Sequence, residues 1–113
     1  MRDQDALVDS TVIAELRLVL GAGLMSVLDT FTGQVREAMH ALPALHAADD
    51  HEALRALAHR LKGASGAVGA RALLAEVTVL EHAAKDGDVA RIATACERLP
   101  MIATSTLAAL ATH

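Results

Sequence analysis

Leu54-Arg55-Ala56-Leu57-Ala58-His59-Arg60-Leu61-Lys62-Gly63-Ala64-Ser65-Gly66 decides how this chain folds. Leu54, Leu57, Ala58 and Leu61 recur three and four positions apart, the period of a helix that buries one stripe. At ~100° per residue His59 points roughly 150° away from that stripe, toward water. Its helical neighbours at three, four and seven positions are Glu52, Arg55, Ala56, Lys62, Gly63 and Gly66, so its surroundings are small and cationic. Glycine in an exposed helix costs about 1 kcal/mol relative to alanine, so Gly63 and Gly66 need a reason other than helix stability. Access is that reason: without side chains there, another protein can approach the helix and the imidazole closely.

Working outward, the same period governs the rest of the chain, which reads as all-α with no sustained strand alternation or repeat. A short first helix carries Ile13, Leu16 and Leu20 on one face and ends near Gly21-Ala22-Gly23. A longer second helix aligns Leu24, Leu28, Phe31, Val35, Ala38, Leu42 and Leu45; Pro43 lacks an N–H for the Met39 carbonyl and predicts a kink or an early stop between Ala41 and His46. Asp49 and Glu52 have the spacing of a capping box that starts the third helix. A fourth runs from about Ala70 with Leu73, Val77, Leu80 and Ala84 inward. Lys85-Asp86-Gly87-Asp88 then supplies a turn and a new N-cap. The fifth repeats Val89, Ile92, Cys96, Leu99, Ala103, Leu107 and Leu110, with a local bend predicted at Pro100. Four long antiparallel helices joined by short loops make an up-down-up-down four-helix bundle, with the short additional N-terminal helix capping one end.

At 113 residues the chain has room for a single domain spanning residues 1–113,. Phe31 is its only aromatic residue, so the core must be aliphatic. The polar start Met1 to Asp5 lacks a signal-peptide pattern, and no uninterrupted apolar run suggests membrane insertion. A cytoplasmic monomer is therefore expected. The lone Cys96 falls on an apolar stripe and reads as a small core residue. His40, His46, His82 and His113 are scattered without metal-ligand spacing, so no metal site is expected. A formal net charge of −4 argues against nucleic acid as a partner,. Yet Arg55, Arg60, Lys62 and Arg71 follow one another with no Asp or Glu between positions 53 and 75, a docking surface for something acidic,.

Ala58-His59-Arg60-Leu61-Lys62-Gly63-Ala64-Ser65-Gly66-Ala67-Val68-Gly69-Ala70, followed by Leu73-Leu74 and Leu80-Glu81, resembles the signature of histidine-containing phosphotransfer domains of bacterial-type phosphorelays. The resemblance implies a phosphoacceptor at His59, a phosphoryl-contacting lysine at Lys62, an access-giving glycine at Gly63 and a turn glycine at Gly69. It also implies response-regulator receiver domains and a hybrid sensor histidine kinase as partners, with Mg2+ held in the receiver's acidic pocket and no cofactor bound by this chain. His59 would accept a phosphoryl group from a receiver phospho-aspartate and pass it to another receiver. Ala64 departs from the serine many members carry. By helical angle Ser65 projects inward, where its hydroxyl is expected to bond a carbonyl one turn earlier.

Other readings compete. A bundle that binds a receiver or kinase without being phosphorylated would share every feature except dependence on His59. His51-Glu52-Ala53-Leu54-Arg55 resembles the phosphoacceptor box of histidine kinase dimerisation helices, but the proline that follows in that box is missing and no segment binds ATP. Hydrolase or transferase catalysis at His59 lacks a nearby Ser or Cys nucleophile and an orienting carboxylate, because Glu52 lies two turns away.

Overall fold

The computed structural model describes residues 6–113; Met1 to Asp5, the polar start of the chain, lie outside them. Among the described residues the main helices are α1 (Ser10–Leu20), α2 (Leu24–Ala47), α3 (His51–Val68), α4 (Arg71–Asp86) and α5 (Val89–Leu110), with a 3-10 turn at Gly21–Gly23. Loops of two or three residues join α2 through α5, which forces neighbours to run antiparallel,. Packing closes a ring, α2 on α3, α3 on α4, α4 on α5 and α5 back on α2. Leu54, Leu57, Ala58 and Leu61 of α3 are buried at its centre with Leu73, Val77 and Leu80 of α4, Ile92 and Leu99 of α5, and Phe31 and Val35 of α2. The up-down-up-down bundle with an added N-terminal helix is thus the observed architecture.

The tight α3–α4 turn sets the register of the two helices that carry the site. Gly69 closes α3 with φ +73°, a left-handed conformation that costs other residues about 1–2 kcal/mol, and the Ala70 N–H donates to the Ser65 carbonyl,. A Cβ on Gly69 would stand 2.8 Å from the Val12 Cβ and 3.1 Å from the Asp9 carbonyl oxygen. The start of α1 is therefore seated directly on this turn. Asp9 donates its N–H to the Gly69 carbonyl at 2.7 Å, caps α1 through the Thr11 N–H, and holds Arg71 at 3.2 Å.

Several local expectations are corrected. Asp50, not Asp49, is the N-cap of α3 and accepts from the Ala53 N–H; Asp49 takes φ +51° in the preceding turn, so the capping-box spacing is off by one residue. Pro43 does not stop α2, which continues to Ala47, and Pro100 lies inside an α5 that is helical to Leu110. Within one turn of a helix end the missing N–H leaves few following bonds to break, which explains Pro43. Val89 is 60% exposed rather than inward because it is the first residue of α5, where the stripe has not begun. Leu20 is also exposed, while Leu16, Ala38, Leu45 and Leu107 are half-buried. The helical stretch from Ser10 to Ala47 contains a window long enough, and on average apolar enough, to cross a membrane, although charged residues such as Glu15, Arg17 and Asp29 interrupt the stretch. It is broken at Gly21, whose φ is +53°, and its Leu24, Leu28 and Phe31 face the bundle core.

Candidate functional site

His59 stands on the outer side of α3 with 65% of its side chain accessible, because the stripe that packs inward lies nearly opposite it. Gly63 and Gly66 occupy the same side, and a Cβ built on either would meet nothing within 4 Å. No close approach inside the molecule requires glycine there, so the cleared surface faces outward.

Glu81 of α4, which sequence reasoning did not place in the site, supplies the orienting carboxylate judged absent. It is 8% exposed, sits between the inward Leu80 and Ala84, and turns its two oxygens toward α3. Oε2 lies 2.6 Å from His59 Nδ1 and Oε1 accepts from Lys62 Nζ at 2.5 Å. The lysine hydrogen bond, then the one from His59, outweigh desolvation and hold the Glu81 carboxyl below its ordinary range,. Ionised, Glu81 can only accept, so the Nδ1 that faces it donates an N–H, and in the neutral ring this tautomer leaves the lone pair on Nε2,. The signal that could have found Glu81 is its position: a carboxylate next to inward leucines needs a cation, and Lys62 is the only lysine on the preceding helix.

The other candidate residues divide. Arg55 pairs with Glu52 one turn earlier, at 2.5 Å, at the edge of the recess beside His59. Arg60 is exposed but turns to the other side, into a hollow between α2 and α3 with Gln34 and Glu37. Arg71 does not join the site; it belongs to the α3–α4 turn, where Asp9 holds it. Ser65 is fully buried, yet its hydroxyl has no hydrogen-bond partner, so the expected bond to a carbonyl one turn earlier is not made. Cys96 is buried and its thiol pKa is pushed up by desolvation, which leaves it a core residue,. Among the described residues no group of three or more His, Cys, Asp or Glu is gathered closely enough to hold a metal ion. With Glu81 in place His59 has an orienter, but the recess it opens on holds no Ser, Thr or Cys to serve as nucleophile,.

Comparison with known families matches residues 26–112 to the Hpt domain, which takes in α3, α4, α5 and almost all of α2. The chain belongs to the Hpt domain family. Hpt domains are phosphotransfer carriers of phosphorelays rather than kinases, and the family's partners are receiver domains and kinases. Among solved structures this Hpt domain is similar to histidine-containing phosphotransfer protein B (HptB) from Pseudomonas aeruginosa PAO1. The two share 30% identity with a TM-score of 0.71, over 93% of this chain and 85% of that one. No curated protein matches the chain.

Proposed function

We propose that His59 is the phosphoacceptor of this Hpt domain, taking a phosphoryl group through Nε2 from the phospho-aspartate of a receiver domain and yielding it to the aspartate of another. One observation carries the reading: Glu81 Oε2 stands 2.6 Å from Nδ1 of a histidine whose side chain is otherwise largely in water. In the transfer the Nε2 lone pair forms the N–P bond as the P–O bond to aspartate breaks, and the carboxylate leaves with that electron pair. Nε2 has no proton to lose. The positive charge that develops on the ring is delocalised to Nδ1–H, where Glu81 stabilises it. Lys62 balances Glu81 before transfer and lies one turn from His59, where its ammonium can donate to the oxygens of an incoming phosphoryl group,. Mg2+ and the remaining charge neutralisation come from the receiver's acidic pocket.

Access is supported by the bare surface at Gly63 and Gly66. Beyond it Val27, Ala64 and Ala67 line a shallow apolar hollow at the α2–α3 seam, which offers a partner area to bury. In this account the carrier acts as a cytoplasmic monomer, with the receiver of a hybrid sensor kinase as donor. Incubation with a phosphorylated receiver tests it: label on the wild type should be lost in acid and survive base, and His59→Gln should take none. Equal labelling of His59→Gln would place the acceptor at another residue; absence of label from the wild type would leave the non-phosphorylated binding module, which predicts that His59→Gln still supports the pathway.

A further inference from the structure

Beside His59, α3 and α4 part to form an open recess of about 560 Å³. From α3 it is lined by His51, Glu52, Arg55 and His59; from α4, by Glu81, His82 and Lys85. Its two acids are already matched, Glu52 by Arg55 and Glu81 by Lys62 and His59. Lys85 and His82 are exposed, and among the described residues neither they nor His51 has an ion-pair or side-chain hydrogen-bond partner. The recess therefore holds an unneutralised ammonium and two unengaged imidazoles inside a chain whose formal net charge is −4. Of the cations around the site, Arg60 turns into the α2–α3 hollow and Arg71 is held at the far turn, so the unmatched positive charge next to His59 lies on α4.

We propose that this recess seats acidic side chains of the receiver domain, with Lys85 and His82 as specificity-determining contacts, so that the docking face runs from the glycine edge of α3 across His59 onto the last turns of α4. The assignment rests on the phosphocarrier reading of His59. A receiver must bring the carboxylates of its acidic pocket close to His59 to transfer its phosphoryl group, and a chain of net charge −4 repels them at long range. A local positive potential beside the acceptor nitrogen offsets that repulsion and fixes the approach. Lys85 also lies in the last turn of α4, where a cation favours the helix dipole,. That role would affect stability alone, and the experiment separates the two.

The probe is the receiver domain of the source organism that, phosphorylated with acetyl phosphate, labels the wild type fastest. Initial rates of label transfer to the full chain are measured against receiver concentration, at low and at high salt, for Lys85→Glu, Lys85→Ala, His82→Glu and His82→Ala. Lys85→Glu should raise KM about tenfold at low salt with kcat within about twofold, and the effect should shrink at high salt, as for a charge at an interface. Lys85→Ala and His82→Ala should give the same pattern at lower amplitude, which keeps the test open if a charge reversal fails to fold. Unchanged KM in the alanine variants, or a fall in kcat alone, overturns the recess as a docking site while His59 still takes label. Absence of label on the wild type from every receiver overturns the phosphocarrier reading and the recess with it.

Discussion

Replacing Gly63 and Gly66 together by alanine should make the protein more stable and a worse phosphocarrier. Both positions lie inside α3, and a Cβ at either meets no atom within 4 Å, so alanine adds no clash. Each substitution removes the helical penalty of glycine, about 1 kcal/mol per site. The two methyl groups would be neighbours on one face with no other side chain within 4 Å of either, so their coupling is small and the gains sum to about 2 kcal/mol,. For a domain of this size that corresponds to a rise in Tm of about 8 °C, measurable by circular dichroism, and to a higher urea midpoint at unchanged slope. Transfer should move the other way. Gly63 is one turn from His59 on the same side, and a methyl there holds a partner's surface off by about an ångström, enough to cost tenfold to a hundredfold in an in-line transfer. A double variant that is less stable, or one that is more stable and transfers as fast as the wild type, would refute the claim that these glycines are kept for access.

Gly69→Ala should destabilise the fold by about 2–3 kcal/mol, from the left-handed φ and the 2.8 Å approach to Val12, lowering the urea midpoint and loosening the start of α1 to proteolysis,. Ser65→Ala should leave stability equal or raise it by up to about 1 kcal/mol in the same assay, because the buried hydroxyl makes no hydrogen bond,. Glu81 adds a pH dependence of known sign. Its folded pKa lies below the ordinary value of 4.5, so its contribution to stability is complete above that value and is lost as pH falls through the depressed one,. Glu81→Gln should therefore flatten the acid limb of a stability-versus-pH curve, and it should slow labelling of His59 by removing the ionised acceptor of Nδ1–H; an unchanged acid limb would contradict the ionised pair.

The bundle was legible because its evidence is local. Each stripe, from Ile13 in α1 to Leu99 in α5, is a pattern within one helix; Gly87 marks a turn by itself, and the turn at Gly69 followed from the family resemblance. His59 and its cleared side could be read in the same way, from angles on α3 alone. Glu81 could not, because it lies 22 positions from His59 and meets it only through the register of α4 on α3, which the Gly69 turn sets. Arg71 was misplaced for the same reason: a charge count along the chain does not show that Asp9 returns to the turn and holds it. The N-cap went to Asp49 because Asp49 and Asp50 both fit by type, and only the positive φ at Asp49 decides between them.

Phosphorus NMR of the labelled protein addresses the acceptor nitrogen directly. With Nδ1–H bound to Glu81, the spectrum should show a single phosphohistidine resonance of the Nε2-linked kind, absent in His59→Gln. A resonance of the Nδ1-linked kind, or label persisting in His59→Gln, would contradict the account.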